Sequence, residues 1–347
     1  MASGIQPKPK GRIFRDSSRL GGAEMKAVRV HRWGLSDPMR VDEVEDPSPG
    51  PGELLVKAAA AGVNPVDLII RLGDRAHRRD SDLPYIPGHN TAGEVAALGE
   101  GVEGFRVGQR VFGLAFESYA GLVRLKAGYA AELPENYSYE EGAGITSPFF
   151  TAWNALVFKA GAGPGESVLV HGGAGGVGMA AIQLAKRLGC RVITTVSSDE
   201  KAVFCRSLGA DETINYREED FPARCLEFTG GRGVDVVVDV SAVDNFDKDL
   251  DAIGVHGRIV VLGVGIGKSP RTEFRVPALM GKDASVHGMV FANLFQRLPE
   301  LIRRFVPLLR EGNFRINVDR VFSVEEANEA QEAVRSGQVL GKVILTI

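Results

Sequence analysis

A strand-like apolar run enters a glycine-rich loop in Ser167-Val-Leu-Val-His-Gly-Gly-Ala-Gly-Gly-Val-Gly178, and this stretch decides the fold. Three glycines of the loop have the spacing G-x-G-x-x-G, and apolar residues then recur at helical spacing as far as Leu188. A glycine loop between a strand and a helix lets the backbone approach a diphosphate, which meets the free N–H groups of the helix. The stretch therefore predicts a dinucleotide site, with ligand contacts from Gly173, Gly175, Gly176, Val177 and Gly178.

Nearly unbroken apolar runs alternate with helix-period segments after residue 145. Strands without apolar/polar alternation are buried on both faces, which is typical of a parallel sheet covered by helices. Six such runs fit a doubly wound Rossmann sheet, so we predict an α/β dinucleotide-binding domain over 146–290. The predicted strands are Val168–Val170, Val192–Val196, Glu212–Ile214, Val236–Val240, Ile259–Leu262 and Val286–Val290.

The first part of the chain is divided by turn residues such as Asp46-Pro-Ser-Pro-Gly-Pro-Gly52, and short β-like runs between the turns predict an antiparallel, barrel-like domain. The end of the chain is expected to return to it, so this domain is predicted over 25–145 and 291–347. Residues 1–24 lack hydrophobic periodicity and are interpreted as a flexible extension or leader. The runs used here are strands Glu53–Ala59, Thr91–Leu98, Arg110–Leu114, Ser118–Leu125 and Lys342–Ile347, and helices Leu298–Arg310 and Val324–Ser336.

The composition excludes several classes of protein. The chain has 347 residues, and 41 Lys and Arg against 44 Asp and Glu give a net charge of -3. Near neutrality argues against nucleic-acid binding, and no apolar run approaches the roughly 18–20 residues that cross a bilayer, so neither nucleic acid nor a membrane is expected as a partner. Three cysteines, Cys190, Cys205 and Cys225, have no zinc-site spacing and indicate a reducing compartment, which predicts a cytoplasmic location.

The residues after the second Rossmann strand select the nucleotide. A carboxylate there would accept a hydrogen bond from the adenosine 2′-hydroxyl and favour NAD(H). Ser197 stands 19 residues after Gly178 instead, and Lys201 follows one helical turn later, where its ammonium would pair with a 2′-phosphate. Asp199 and Glu200 are contrary evidence, although the dipole of a helix starting there also favours acids in its first turn. We therefore predict NADPH as the cofactor.

Further motifs stand outside the glycine loop: Ala61-Gly-Val-Asn-Pro-Val-Asp67, Ala92-Gly-Glu-Val95, Val107-Gly-Gln-Arg-Val-Phe-Gly113, Leu208-Gly-Ala-Asp-Glu-Thr-Ile-Asn-Tyr-Arg217 and Gly341-Lys342. Together they resemble the zinc-independent quinone oxidoreductases of the medium-chain dehydrogenase/reductase superfamily, the group that includes zeta-crystallin. The resemblance runs from Met25 to Ile347 and implies a GroES-like β-barrel catalytic domain, a Rossmann domain and an active cleft between them. It also implies a homodimer through the sheet edge at Ser285–Asn293, although a helix of the same subunit would cover that edge equally well.

Position by position, the resemblance also implies the site. Asn64 is the candidate catalytic residue that donates its amide N–H to an acceptor carbonyl, and Asp67 is the candidate that braces this loop. Tyr216 would contact the 2′-phosphate, or else pack on the sheet as a strand-end aromatic. The residues implied to contact the cofactor, beyond the glycine loop, are Asn64, Thr151, Ser197, Lys201, Tyr216, Gly263 and Lys342.

The residues at the metal positions of the related zinc alcohol dehydrogenases argue against zinc. Asn64 replaces the first Cys ligand, Gly88-His89-Asn90 lacks the carboxylate of Gly-His-Glu, and Ser147 replaces the third ligand. One imidazole with amides and a hydroxyl is a poor donor set for Zn²⁺, so no metal site is predicted. His89 is interpreted either as a hydrogen-bonded histidine near the cleft floor or as a proton donor or substrate contact.

Without a Lewis acid, reduction of an electron-poor acceptor needs a positioned hydride donor and a proton. We therefore predict zinc-independent hydride transfer from NADPH to a small-molecule quinone. An NADPH-dependent double-bond reductase of enones or alkenals and a non-catalytic NADPH-binding structural or sensor protein remain alternatives. The charged segment Arg71–Asp82 is interpreted as a solvated loop or as a cationic lip for anionic substrates.

Overall fold

The structure, a computed structural model, describes residues 24–73, 80–265, 268, 270–312 and 314–347. The predicted extension at 1–24 lies outside the described residues except for Glu24, which begins the first strand. Within these ranges no helix is long and apolar enough to cross a membrane.

The described elements form three consecutive groups. The first comprises β1 (Glu24–Arg29), β2 (Arg40–Glu45), β3 (Glu53–Val63), α1 (Pro65–Arg71), β4 (Asn90–Leu98), β5 (Arg110–Leu114), β6 (Leu122–Lys126), β7 (Ala130–Glu132) and α2 (Tyr139–Ala143). The second comprises α3 (Thr146–Trp153), β8 (Ser167–Val170), α4 (Gly176–Arg187), β9 (Arg191–Val196), α5 (Asp199–Ser207), β10 (Glu212–Asn215), α6 (Phe221–Phe228), β11 (Val234–Asp239), α7 (Ala242–Ala252), β12 (Ile253–Val261), α8 (Val276–Met280) and β13 (Ser285–Gly288). The third comprises α9 (Leu298–Arg310), β14 (Val318–Ser323), α10 (Ala327–Ser336) and β15 (Lys342–Thr346).

The second group builds a six-stranded sheet in the order β10-β9-β8-β11-β12-β13, and all its strand pairs are parallel. Its central strands are covered on both faces: Val168 and Val170 contribute to one core cluster, and Leu169 between them contributes to another. Burial on both faces explains why these strands show no apolar/polar alternation. The predicted doubly wound α/β fold is confirmed, and the last strand ends two residues earlier than predicted, at Gly288.

The first and third groups share a seven-stranded sheet in the order β14-β15-β3-β4-β5-β7, with β6 also pairing β3. The pairs are antiparallel except for β14 with β15. Because β15 lies between β14 and β3, the end of the chain returns to the sheet that the beginning builds. The predicted helix from Val324 begins as a 3₁₀ turn, Val324–Glu326, and continues as α10.

The two sheets meet where β15 begins. The N–H of Gly341 donates to the carbonyl of Ala174 (2.7 Å), and Gly341 forms a parallel bridge with Gly175 of the glycine loop. The backbone at Gly341 has φ +92°, and a Cβ there would lie 2.4 Å from the carbonyl oxygen of Asn317, so only glycine fits this junction. This contact places the start of β15 against the glycine-rich loop.

Candidate active site

The glycine-rich loop has the close approaches that its spacing predicts. The left-handed residue of the turn is Gly172 (φ +67°), so the tight turn occurs one residue before the motif's first glycine. A Cβ on Gly173 would lie 2.0 Å from Thr194 Oγ1 of β9, and a Cβ on Gly178 would lie 2.3 Å from the carbonyl oxygen of Gly172. Gly175 is the N-cap residue of α4, so the free N–H groups of this helix begin at the loop. The turn therefore leaves a helix N-terminus open to an anionic group.

Ser197 and Lys201 lie together at the carboxyl end of β9. The ammonium of Lys201 donates to Ser197 Oγ (3.1 Å) and to the carbonyl of Gly337 (2.6 Å), which ends α10. Burial, and after it the nearby positive charge of Arg217, lower the pKa of Lys201. None of the ion pairs among the described residues includes Lys201 or Arg217. Two cations without a carboxylate partner form a site for an anion.

The two acids that follow Ser197 do not enter this group. Asp199 and Glu200 occupy the first turn of α5 and are exposed. Ser198 is the N-cap residue, and its hydroxyl accepts the N–H of Lys201 (3.4 Å). The acids therefore stand where the helix dipole favours negative charge.

Tyr216 and Arg217 follow β10 beside this site. Tyr216 is 52% exposed, which disfavours packing on the sheet as the explanation for this residue. Arg217 was not among the predicted site residues. The sequence signal that could have found it is a basic residue directly after the strand-end Tyr216, next to the strand that carries Ser197.

Asn64 and Asp67 are joined at the turn between β3 and α1. Both are buried, and the Asn64 N–H donates to Asp67 Oδ2 (2.9 Å). The hydroxyl of Tyr119 donates to the same oxygen (3.0 Å), and His89 Nδ1 lies 2.6 Å from Asp67 Oδ1. Burial and then the charge of Asp67 raise the pKa of Tyr119 well above its usual range, so this hydroxyl stays a donor. Asp67 therefore fixes the Asn64 turn and orients the ring of His89.

Lys342 joins the Asn64 turn to the glycine loop. Its Nζ donates to the carbonyl of Val63 (2.7 Å) and to Asn64 Oδ1 (2.8 Å), and a Cβ on Gly176 would lie 3.0 Å from its Cδ. Burial lowers the pKa of Lys342 to about 8, with the charge of Asp67 opposing this effect. Lys342 holds the side-chain oxygen of Asn64, and one N–H of the Asn64 amide donates to the carbonyl of Gly62 (3.0 Å), so the second N–H is the one that remains to donate.

The remaining predicted residues lie apart from these contacts. Thr151 is half-buried on α3, and a Cβ on Gly263 would lie 2.8 Å from the carbonyl of Val240. No hydrogen bond among the described residues links the side chain of Thr151 or Tyr216 to another predicted site residue. Their contact with a cofactor stays a prediction.

Asn90 and Ser147, two of the residues compared above with the zinc alcohol dehydrogenases, face each other. The Ser147 hydroxyl lies 2.6 Å from the side-chain amide of Asn90, which is buried beside His89. The donors here are therefore an amide, a hydroxyl and one imidazole. That set lacks the thiolates and carboxylates that usually accompany histidine around Zn²⁺.

The charged segment Arg71–Asp82 is only partly described, since 74–79 lie outside the described residues. Arg71 is buried, and it donates to Gln331 Oε1 (2.9 Å) and to the carbonyl of Asp37 (2.8 Å). Arg71 therefore belongs neither to a solvated loop nor to a cationic lip, because its charge is used inside the fold.

His171, which directly follows β8, lies in a buried cluster that sequence reasoning missed. Its Nε2 lies 2.8 Å from Asp249 Oδ1, and its Nδ1 lies 3.0 Å from Thr195 Oγ1, which accepts the N–H of Gly172 (3.2 Å). With Asp239, these groups are close enough to hold a metal ion, and one oxygen of each carboxyl group has no hydrogen-bond partner.

An aromatic row extends from His89 towards the third group of elements. The rings of His89 and Phe116 meet edge-on at 5.7 Å, and Phe116 meets Phe295 at the same distance. Phe295 in turn lies 6.0 Å from Tyr129 and 6.2 Å from Phe291. Phe116 is 48% exposed, so the row offers an open aromatic surface next to the His89 ring.

Two families and several proteins match the chain. The family described as "Alcohol dehydrogenase GroES-like domain" matches residues 50–162, and "Zinc-binding dehydrogenase" matches 176–306. The "Quinone oxidoreductase" of Rattus norvegicus is 34% identical over 333 residues, covering 93% of this chain and 98% of that protein. The human "Quinone oxidoreductase" is 32% identical, with 93% and 98% covered.

Solved structures with the same fold are described with different cofactors and activities. An "NAD-dependent alcohol dehydrogenase" is 33% identical with a TM-score of 0.83, covering 93% of this chain and 100% of that one. A mycobacterial protein complexed with NADPH is 30% identical with a TM-score of 0.84, with 93% and 100% covered. The CurK enoyl reductase is 25% identical with a TM-score of 0.84, with 93% and 99% covered.

Proposed function

Because the chain belongs to the zeta-crystallin-like quinone oxidoreductase family of the medium-chain dehydrogenase/reductase superfamily, we propose that it reduces quinones with NADPH and without zinc. The chain is an oxidoreductase with a Rossmann domain for a nicotinamide cofactor. Bound there, the reduced cofactor would supply a hydride.

The residues present fit a dinucleotide. The glycine loop and the N-terminus of α4 would hold the diphosphate, because Gly173 and Gly178 leave no room for side chains and the helix N–H groups are free. Asn64 would present its amide N–H₂ to the acceptor or the nicotinamide, with Thr151 and Gly263 lining the groove. Lys342 would hold Asn64 in that orientation.

The observation that carries the choice of NADPH is the cationic pair at the end of β9. Lys201 and Arg217 lack carboxylate partners among the described residues. Ser197 occupies the position where NAD-selective proteins have a carboxylate, and a serine there does not repel a 2′-phosphate. A 2′-phosphate accepting from Ser197, Lys201 and Tyr216 would supply the missing negative charge.

Calorimetry of wild-type and variant protein tests this choice. Lys201→Ala is expected to weaken NADPH binding about 10- to 100-fold, because one charge-assisted hydrogen bond is lost, and to leave NADH binding within about twofold. Lys186→Ala, on the exposed face of α4 where the lysine pairs with Asp211, serves as the matched control. Tighter binding of NADH than of NADPH by the wild type would contradict the proposal.

We propose that the reaction does not use zinc, because the side chains at the metal positions are poor zinc ligands. Asn64, His89 and Ser147 stand at the positions that hold zinc in related alcohol dehydrogenases, and Asn90 replaces the neighbouring carboxylate. Metal analysis of purified protein, together with activity after dialysis against a chelator, tests this part. Stoichiometric zinc and loss of turnover would contradict it.

A flat aromatic acceptor is favoured by the row of aromatic rings beside His89 and by the names of the relatives. Reduction of an enone double bond is the second candidate, and the similarity to an enoyl reductase supports it. NADPH consumption with a 1,4-naphthoquinone and with a small α,β-unsaturated ketone separates the two. Turnover of the ketone alone contradicts the quinone proposal, and tight NADPH binding without any turnover supports a non-catalytic sensor.

We also propose a homodimer in the cytoplasm. The edge strand β13 exposes the apolar side chain of Val286, and Val290 shortly after the strand is exposed too, so a second subunit would cover an apolar edge. The three cysteines are buried free thiols, as a reducing compartment would keep them, and burial raises the pKa of Cys190 to about 11. Sedimentation of the purified protein tests the dimer.

A further inference from the structure

The proposed reduction needs a proton as well as a hydride, and we propose that His89 Nε2 donates it to the acceptor oxygen. This inference rests on the proposed function. When the acceptor gains a hydride, it takes up two electrons and becomes an oxyanion, and the O–H bond then forms as the Nε2–H bond of the imidazolium breaks. A proton from water restores the imidazolium.

The first support is the tautomer that the structure imposes on His89. The Asp67 carboxylate accepts hydrogen bonds only, so Nδ1, at 2.6 Å from its Oδ1, is the donor. Nε2 is then the nitrogen that gains and loses a proton, and it has no hydrogen-bond partner among the described residues. A general acid whose orienting nitrogen is held by a carboxylate is the arrangement that proton transfer requires.

The second support is the environment of Asp67. It is fully buried on α1, and it receives the Asn64 N–H and the Tyr119 hydroxyl in addition to His89. Three donors around one buried carboxylate satisfy its oxygens and fix its position against the ring of His89. Among the described residues, Lys342 of β15 lies beyond Asn64, and its charge interacts with that of Asp67.

The third support is the position of the ring. The antiparallel register pairs Gly62 of β3 with Asn90 of β4. Asn64, just after β3, and His89, just before β4, therefore lie at the same edge of the sheet. Gly88 turns the chain at φ +99°, where a Cβ would lie 2.3 Å from Ser118 Oγ. The side chain of His89 is 19% exposed and touches Phe116, so it reaches both the buried carboxylate and the open aromatic surface.

Lys342 is a weaker candidate for the same role. Its ammonium already donates to Val63 and Asn64, and the side chain is buried behind that turn. His89 is the titratable group of this cluster that is partly exposed and holds a free nitrogen.

The test compares His89→Asn with the wild type and with His31→Asn. His31 forms another histidine–aspartate pair, with Nε2 2.8 Å from Asp42 Oδ2, and serves as the matched control. His89→Asn is expected to lower kcat about 10²-fold and to abolish the fall in kcat as pH rises, while NADPH binding by fluorescence stays unchanged. The loss is expected to be larger with an enone, whose enolate is more basic, than with a quinone. His31→Asn is expected to leave both properties unchanged.

Two further readouts separate a proton donor from a structural residue. Added imidazole is expected to restore part of the rate to His89→Ala and none to His31→Ala. In cofactor-free protein, Asp67→Asn is expected to move the NMR titration midpoint of the His89 ring to lower pH and to leave that of His31 in place. A wild-type kcat and pH profile in His89→Asn, or an unmoved midpoint in Asp67→Asn, would overturn the inference. A wild type that turns over neither acceptor contradicts the proposed function instead.

Discussion

The buried pair of Asp249 and His171 gives the free energy of unfolding a specific pH dependence. Burial raises the pKa of Asp249 to about 6, above its unfolded value, so the stability gained from its protonated form is lost as pH rises through about 6. Burial is the largest single effect on His171 and lowers its pKa, but the charge and hydrogen bond of Asp249 and the charge of Asp239 together outweigh it. The pKa of His171 is therefore raised, so this contribution to stability is also lost as pH rises.

Asp249→Asn tests this dependence by guanidinium unfolding between pH 5 and 8. The amide keeps an acceptor for His171 and removes the ionisation. The wild type should lose stability as pH rises and the variant should not. The unfolding free energy of the variant minus that of the wild type should therefore grow by about 1–3 kcal/mol from pH 5 to pH 8, because one pKa unit corresponds to about 1.4 kcal/mol. Asp211→Asn, on the exposed end of the Lys186 pair, is the control. A difference that does not change with pH contradicts the assignment.

At the scale of elements, the start of β15 holds the glycine loop in place. Gly341→Ala is expected to place a methyl group 2.4 Å from the Asn317 carbonyl and so to displace the N–H that donates to Ala174. We expect a stability loss of about 1–3 kcal/mol and at least about tenfold weaker NADPH binding, since the loop loses its support. Gly108→Ala is the control: its φ is also positive (+80°) and a Cβ there would meet nothing within 4 Å, so it should lower stability without weakening NADPH binding. Unchanged NADPH affinity in Gly341→Ala would count against this role.

Elements whose signals are local were predictable, and contacts between distant elements were not. The glycine spacing before α4 and the unbroken apolar runs of the parallel sheet follow from local backbone geometry and burial. The partners of Lys342 and His171 lie 278 and 78 residues away, so no spacing rule relates them. Arg71 shows the same limit. The charged residues next to it in sequence predicted a solvent-exposed segment, whereas its guanidinium is buried and donates to Gln331.

For the whole molecule, the exposed edge of the parallel sheet sets the expected assembly. Val286 on β13 is 42% exposed, and β13 has a neighbouring strand on one side only. Val286→Asp is expected to convert the dimer to a monomer in light scattering, because a buried carboxylate without a partner is costly. Val321→Asp, on the exposed edge strand β14, is the matched control and should leave the mass unchanged. A monomeric wild type contradicts the proposed dimer.

Several hydrogen bonds join the parallel sheet and its helices to the third group of elements. Besides the bonds from Gly341 to Ala174 and from Lys201 to Gly337, Gln183 of α4 donates to the carbonyl of Arg315 (3.0 Å) and accepts the N–H of the same residue (2.7 Å). A rigid separation of the two sheets would break these bonds together. We therefore expect an acceptor to enter and leave while this side of the molecule, where the phosphate end of the nucleotide would bind, stays closed.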